Sequence, residues 1–182
     1  MRVGVIGVGH LGYHHARILR SLASEVTVFD VREARTAEVA SELGIAAASS
    51  ASELLSRVDA VVVASDTVTH HDVVMQALAA GCHTLVEKPI ASDSIQAAYF
   101  ASEAERLGLV FAVGHVERFN SAVVAAGALI DSLMFVEAHR LAPFKHRGID
   151  VLVVMDFMIH DIDLVLSFVR SPVSAVHASG VA

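Results

Sequence analysis

A glycine-rich segment near the N-terminus has the composition of a phosphate-binding turn. Gly7-Val8-Gly9-His10-Leu11-Gly12 follows an apolar run and precedes an amphipathic stretch, so a strand turns into a helix there. The first glycine permits a tight bend, the second lets backbone approach a pyrophosphate, and the third lets helix and strand pack closely. The helix N-terminus adds amide donors and a positive dipole. The pattern predicts a dinucleotide site that includes Gly7, Gly9, His10, Leu11 and Gly12.

An acidic residue closes the next apolar run. Asp30 lies 18 residues after Gly12, where a carboxylate accepts hydrogen bonds from the adenosine ribose hydroxyls. The same carboxylate repels the 2′-phosphate of NADP, so NAD is the predicted cofactor. Arg32 keeps NADP open, because a nearby Arg can bind that phosphate. The pattern is also compatible with FAD, with a nucleotide sugar, or with a glycine turn that binds no ligand.

Two further groups of residues could act on protons. Glu87-Lys88-Pro89 follows an apolar run, at the strand end where open α/β sheets bind ligands, and a Lys there can bind a substrate hydroxyl. Asp156 and His160 are four positions apart, so on a helix they share one face. A His that titrates near neutrality is a suitable base for an alcohol that loses hydride. The same residues are compatible with a solvated charged turn and with an ordinary Asp and His on an amphipathic helix.

Short apolar runs alternate with amphipathic stretches, which predicts an α/β fold with a doubly wound parallel sheet, the Rossmann type. The predicted strands and helices occupy residues 1–114, which we interpret as one NAD(P)-binding domain. The strands are Val3–Ile6, Val26–Phe29, Asp59–Ala64, His83–Val86 and Leu109–Val113. The helices are His10–Leu22, Arg32–Leu43, Val68–Ala80 and one that Ser92 with Asp93 caps and that ends at Leu107.

The alternation changes after Gly114. The remaining pattern predicts a helix, a strand, a polar loop, a long helix and a last strand: Glu117–Gly127, Leu133–Arg140, Leu141–Asp150, Val151–Val169 and Val173–Ala178. Two strands and two helices are few for an independent domain, since a two-stranded sheet is marginal in water. Residues 115–182 are therefore predicted to be part of a second domain that is truncated or completed by another chain.

Composition narrows the classes of partner. The net charge is −7 without any basic block, which argues against a nucleic-acid or anionic-membrane partner, and no apolar run is long enough to span a bilayer. A single cysteine, Cys82, fits a reducing cytoplasm. Hydrophobic residues make up 54%, an excess that predicts contact with a partner subunit or with further chain. His14-His15 and His70-His71 are adjacent pairs that diverge by roughly 100° on a helix, so no metal is predicted.

These motifs together resemble the glucose–fructose oxidoreductase / inositol dehydrogenase / rhizopine catabolism (Gfo/Idh/MocA) family. The resemblance adds two segments to those above: Ala64-Ser65, which leads to His70, and Asp156-Phe157-Met158-Ile159-His160-Asp161-Ile162-Asp163. It implies an N-terminal Rossmann domain and a C-terminal domain with a large open sheet. It also implies hydride transfer between NAD(P) and a hydroxyl carbon of a sugar, cyclitol or related small molecule, in homo-oligomers.

The resemblance assigns roles to individual residues. It implies that Lys88, Asp156 and His160 meet at the nicotinamide, with His160 as the base and Lys88 assisting. It places Ser65, His70, Glu87 and Lys88 near the cofactor. Gly114-His115-Val116-Glu117-Arg118-Phe119-Asn120 resembles the nucleotide-sugar dehydrogenase branch. Family members are longer, so the second domain is expected to be partial. A non-catalytic NAD(H)-binding or regulatory module is the alternative function.

Overall fold

The computed structural model describes residues 1–130, 133–141, 152–169 and 171–181 in two compact units, Met1–Gly114 and His115–Ala182. The strands of the first unit are β1 (Arg2–Ile6), β2 (Glu25–Phe29), β3 (Ala46–Ala47), β4 (Ala60–Val63), β5 (His83–Val86) and β6 (Phe111–Val113). Its helices are α1 (His10–Leu22), α2 (Glu33–Leu43), α3 (Ala51–Leu55), α4 (His70–Ala79) and α5 (Ser94–Leu107).

The six strands of the first unit are all parallel, in the order β3-β2-β1-β4-β5-β6. This is the strand order of the doubly wound Rossmann fold, so the predicted fold class is confirmed. Three features differ from the prediction. The sequence pattern predicts neither β3 nor α3, and α4 is preceded by a 3₁₀ turn at Thr67–Thr69.

Helices cover the sheet on both faces. Successive strand side chains point to opposite sides, and in β4 Val61 and Val63 contribute to one apolar cluster while Val62 contributes to the other. All three valines are buried. Burial on both faces explains why the strands read as continuous apolar runs in the sequence.

The last residues of neighbouring strands are paired with one another. The residues that follow them therefore lie side by side along one edge of the sheet. Ile6 pairs with Phe29 and with Val63, and Val86 pairs with Val63 and with Val113. The next residue of four strands donates its N–H to the carbonyl of a neighbouring strand at 2.8 Å: Gly7 to Phe29, Ala64 to Ile6, Glu87 to Val63 and Gly114 to Val86. The glycine loop, Ser65 and Lys88 therefore all leave the same edge of the sheet.

All the regular secondary structure in the described part of the second unit is helical. It contains a 3₁₀ turn at Val116–Phe119, α6 (Ser121–Gly127), a π-helical turn at Val154–Met158 and α7 (Ile159–Phe168). The predicted helix Glu117–Gly127 is thus divided at Asn120, whose side chain accepts from the amide of Ala122 and caps α6. Most of the predicted loop Leu141–Asp150 lies outside the described residues.

Two strand predictions in the second unit are wrong. Residues 133–140 and 173–178 belong to no sheet, although both segments are described. Their mixture of apolar and β-branched residues suits a strand, but a strand forms only where a neighbouring chain accepts and donates its backbone hydrogen bonds. Neither segment has such a neighbour in the described structure.

Candidate functional site

A crevice opens at the carboxyl edge of the sheet beside the ends of β1, β2 and β4. Its volume is about 450 Å³. Five of the residues predicted to bind the cofactor line it: Gly7, Gly9, Asp30, Arg32 and Ser65. The crevice lies next to the junction of β1 and β4, where the strand order reverses, which is the place where open α/β sheets bind ligands.

The three glycines of the loop differ in what an added side chain would contact. Gly7 has φ +84°, and an added Cβ would lie 2.5 Å from the backbone nitrogen of Ser65. A Cβ on Gly12 would lie 1.8 Å from the carbonyl oxygen of Gly7. A Cβ on Gly9 would meet no protein atom within 4 Å. Folding therefore requires glycine at positions 7 and 12, whereas the bare backbone of Gly9 faces open space that a ligand can fill.

The first turn of α1 borders this open space. His10 and Leu11 are both exposed there, and the His10 ring meets the ring of His14 edge-on, with centroids 4.9 Å apart. The helix has no side-chain cap, so its first amides are available to an anion. A pyrophosphate fits this combination of exposed amides and a side-chain-free Gly9.

Asp30 is buried and ionised in a dense set of donors. Its carboxylate accepts from the amides of Val8 and Arg32 and from the Nε of Arg32, each at 3.0 Å. Burial alone would raise the pKa of this carboxyl, but the hydrogen bonds from Arg32 and Val8 outweigh burial, and the net pKa is lowered. The Arg32 side chain is 65% exposed, so it lies over the carboxylate from the solvent side.

His70 lies behind the crevice and not in it. The side chain is 1% exposed; its Nδ1 is 3.0 Å from the carbonyl oxygen of Pro89, and its Nε2 is 3.0 Å from that of Ser65. Each nitrogen is thus within hydrogen-bonding distance of a carbonyl oxygen, and the tautomer decides which of the two nitrogens donates. The imidazole therefore joins the segment after β4 to the segment after β5, which agrees with a packing role at a helix start.

Glu87 is likewise buried, and its partner is a histidine of α1. Its carboxylate Oε1 lies 2.6 Å from Nε2 of His15, and Oε2 accepts from the amide of Lys88 at 3.2 Å. A Cβ on Gly114 would come within 2.9 Å of the carboxyl group. Lys88 itself is half-buried and follows directly after this carboxylate.

In the second unit, Asp156 and His160 lie on consecutive turns of one helix. Asp156 is inside the π-helical turn Val154–Met158, and His160 is the second residue of α7. In a π turn the hydrogen bonds run from i to i+5, so residues four apart remain roughly one turn apart. Such turns are rare and occur frequently at functional sites.

The two carboxylates that follow His160 are not the solvated neighbours that an ordinary amphipathic helix would carry. Asp163 is 8% exposed and accepts two hydrogen bonds from Arg118, at 2.7 and 2.6 Å. Asp161 accepts two from Arg140, both at 2.8 Å. Hydrogen bonding to Arg118 and to Arg140, respectively, lowers the pKa of Asp163 and of Asp161. The helix that carries His160 is thus anchored by two bidentate ion pairs.

Sequence reasoning missed His15, Arg118 and Asp163 as parts of the framework around the predicted residues. Each acts through a distant partner, 72 positions away for His15–Glu87 and 45 for Arg118–Asp163. The sequence presents His15 only beside His14, as a possible metal ligand. Among the residues that the structure describes, no group of three His, Cys, Asp or Glu side chains could hold a metal ion.

Comparison with known proteins shows the class to which this fold and crevice belong. A family model described as the GFO_IDH_MocA oxidoreductase family with an NAD-binding Rossmann fold matches residues 1–115. The chain belongs to this family, as the resemblance of its motifs predicted.

Individual relatives are longer than this chain. It is 43% identical over 183 residues to the UDP-N-acetylglucosamine 3-dehydrogenase of Acidithiobacillus ferrooxidans, covering 100% of this chain and 58% of the relative. It is 29% identical to the scyllo-inositol 2-dehydrogenase (NAD(+)) of Bacillus subtilis, covering 99% and 57%. A solved structure of the Acidithiobacillus enzyme superimposes with a TM-score of 0.91 at 42% identity, covering 100% of this chain and 60% of that one. The chain thus spans less than two thirds of these relatives.

Helix length and apolar character also bear on membrane insertion. Within the described ranges, no helix combines the length and the apolar character needed to cross a bilayer.

Proposed function

We propose that the chain is the cofactor-binding part of an NAD-dependent oxidoreductase that transfers a hydride between NAD and a hydroxyl carbon of a sugar, cyclitol or nucleotide sugar. The open space at Gly9 carries this proposal, because packing does not explain a glycine there and a pyrophosphate does. In this proposal residues 1–114 form the NAD(P)-binding domain. Residues 115–182 belong to a domain for substrate and oligomer contacts.

The residues around the crevice fit a dinucleotide. The backbone from Gly7 to Gly12 and the N-terminus of α1 would hold the pyrophosphate, flanked by His10 and Leu11. Asp30 would accept from the ribose hydroxyls once the exposed Arg32 side chain swings off its carboxylate. Ser65 lines the opposite wall. Glu87 and His70 would act behind the site, through the backbone segments that they hold.

The cofactor preference follows from the pair of Asp30 and Arg32. The ionised carboxylate favours NAD, because a 2′-phosphate would meet a second negative charge at short range. Arg32 opposes this preference, since its guanidinium could bind the phosphate. We propose NAD because Asp30 is buried and fixed by backbone amides, whereas Arg32 is exposed.

Three side chains would carry the chemistry. When bound, NAD would accept or supply the hydride. His160 would take the proton of the substrate hydroxyl, and the positive charge of Lys88 would stabilise the oxygen as it becomes an alkoxide. Asp156 would orient the imidazole or hold a neighbouring hydroxyl. Support comes from the match of these residues to the family motifs and from the π turn that contains Asp156.

The substrate class, the oligomeric state and the cellular location are inferred from more general observations. A relative that acts on UDP-N-acetylglucosamine at 43% identity favours a nucleotide sugar over a free cyclitol. Exposed apolar side chains in the second unit, including Phe119, Met134 and Phe135, favour a homo-oligomer. The single buried Cys82 and the net charge of −7 fit a cytoplasmic enzyme without a nucleic-acid partner.

Titration with NADH and NADPH tests the cofactor site directly. The chain contains no Trp, so nicotinamide fluorescence can be followed without interference. We expect saturable binding that favours NADH, and a Kd raised by about tenfold or more in Gly9→Ala, since a methyl group enters the pyrophosphate position. Gly180→Ala is the matched control, because its Cβ also meets nothing within 4 Å. Equal affinity in the Gly9 variant would contradict the site.

Two further variants test the assigned roles. Asp30→Ala should narrow the preference for NADH over NADPH. His160→Ala should abolish turnover of UDP-N-acetylglucosamine or myo-inositol while the Kd for NADH changes less than about twofold. Turnover that survives His160→Ala would remove that residue from the mechanism. NADH binding without turnover by the unsubstituted chain would favour a non-catalytic NAD(H)-binding module.

A further inference from the structure

The loop that carries Lys88 is held by a buried carboxylate and not by packing alone. Glu87 is 5% exposed, and its carboxyl group lies among three elements of the first unit: α1, the end of β5 and the end of β6 at Gly114. A buried carboxylate is costly unless a charged or hydrogen-bonding partner compensates it. His15 supplies that partner at 2.6 Å from Oε1.

The second oxygen of the same carboxylate acts on Lys88. Oε2 accepts from the Lys88 amide at 3.2 Å, so the direction of the Glu87 side chain fixes the backbone from which the lysine side chain departs. On the other side of the lysine, the carbonyl of Pro89 lies 3.0 Å from Nδ1 of the buried His70. Lys88 is therefore placed between two fixed points, and both depend on an imidazole.

We propose that His15 is a positioning residue for Lys88 and acts through the carboxylate of Glu87. This inference rests on the proposed function and extends it. The helix whose first turn would hold the pyrophosphate would also position the catalytic lysine. His15 is one and a half turns into that helix, which begins at His10. Displacements of about 1 Å in a reacting group are enough to lower rates strongly.

The sequence makes a sharp experiment available, because Lys88 and Lys145 are its two lysines. Competitive acylation with a limiting amount of an amine-reactive ester, read by mass spectrometry, gives the reactivity of Lys88 relative to Lys145 in each variant. His15→Leu removes the ring nitrogen that contacts Glu87 and keeps a side chain of similar size. His15→Gln keeps an N–H near the position of Nε2. His14→Leu is the matched control, since His14 is exposed on the same helix.

We expect the Lys88/Lys145 reactivity ratio to change by at least about threefold in His15→Leu, to return toward the original value in His15→Gln, and to stay unchanged in His14→Leu. For turnover, kcat should fall in His15→Leu while the Kd for NADH stays within about twofold. A residue that only stabilises the fold would alter thermal stability without this lysine-specific change and without rescue by Gln. If His15→Leu does not fold, Glu87→Gln replaces it, and the same change in the ratio is expected.

The outcomes separate this inference from the proposed function. A ratio that responds to His15 in a chain that neither binds NADH nor turns over a sugar supports the positioning role and overturns the proposed function. A ratio indifferent to His15→Leu and to Glu87→Gln, in a chain that binds NADH, overturns the positioning role and leaves the proposed function intact.

Discussion

The two units of the chain are stabilised by different interactions. In the first, a parallel sheet is buried between two apolar clusters, and large side chains such as Leu54, Leu78 and Phe100 are fully buried. In the second, Asp163 is the only buried residue among those that the structure describes, and its partner is Arg118. One unit thus depends on the hydrophobic effect, the other on hydrogen-bonded charges.

This difference separates two requirements of the proposed enzyme. The glycine loop must hold its shape against a polyanion, and an apolar core of close-packed strands gives it a rigid base. The helix with His160 is instead held by ion pairs at Asp161 and Asp163, which respond to pH and salt. The same type of substitution should therefore change the free energy of unfolding by different amounts in the two units.

The sharpest test of the comparison uses two phenylalanines. Phe100 is 0% exposed in the core of the first unit, and Phe119 is 83% exposed in the second. Phe100→Ala leaves a cavity and should lower the free energy of unfolding by about 3–5 kcal/mol, whereas Phe119→Ala should change it by less than about 0.5 kcal/mol. Urea unfolding followed by circular dichroism measures both. Comparable losses would show that the second unit has an apolar core of its own.

A second, smaller effect is expected at the ion pair of the second unit. Arg118→Ala removes the two hydrogen bonds that the buried Asp163 carboxylate accepts from Arg118 and leaves it with His115, whose Nδ1 lies 3.9 Å from Oδ2. The change should destabilise α7 by about 1–2 kcal/mol, a value reduced because Arg118 is half-exposed. Hydrogen exchange of the α7 amides should become faster, while β1 and β4 remain protected. Arg140→Ala is the control and should act more weakly, because Asp161 is less buried. Equal exchange in all three proteins would contradict the anchoring role of Arg118.

The same pair predicts how this region responds to acid. Because the folded-state pKa of Asp163 is lowered, the stabilisation is fully present above the ordinary Asp pKa of about 3.9 and is lost as the pH falls through the lower folded value. Exchange of α7 should therefore approach that of Arg118→Ala in acid. If the difference between the two proteins did not shrink at all as the pH was lowered from the ordinary Asp pKa of about 3.9, the assignment would be contradicted.

The sequence was most informative where a physical constraint acts on neighbouring residues. The strand His83–Val86 and the helix His10–Leu22 are predicted with the observed ends, because apolar runs and glycines mark them. β3 consists of two alanines and gives no such signal. α3 was missed although Ser50 and Glu53 form the beginning of a capping box, with Ser50 accepting from the Glu53 amide.

In the candidate site, too, the sequence predicts features that depend on neighbouring residues and does not reveal contacts between distant ones. Gly7, Gly9 and Gly12 could be predicted as a glycine loop from the sequence: a Cβ at Gly7 or Gly12 would clash with backbone, whereas a Cβ at Gly9 would meet only open space. The structure had to supply the partner of Glu87, since no local pattern connects it to His15 across 72 positions. The failed strand at residues 133–140 has the related cause that a ladder needs a second chain segment, which single-segment patterns do not reveal.

The smallest expected effect concerns an exposed pair of the first unit, where charge should matter least. Asp59 accepts from the side chain and from the amide of Arg2, and these bonds lower the pKa of Asp59 to about 2. Because that folded value is depressed, its contribution is present above about pH 4 and disappears as the pH falls toward 2. The thermal midpoint of Asp59→Asn should lie slightly below that of the unsubstituted chain at about pH 7 and meet it near pH 2. If Asp59→Asn lowered the thermal midpoint at neutral pH by more than Arg118→Ala does, the conclusion that ion pairs matter less to the first unit than to the second would be wrong.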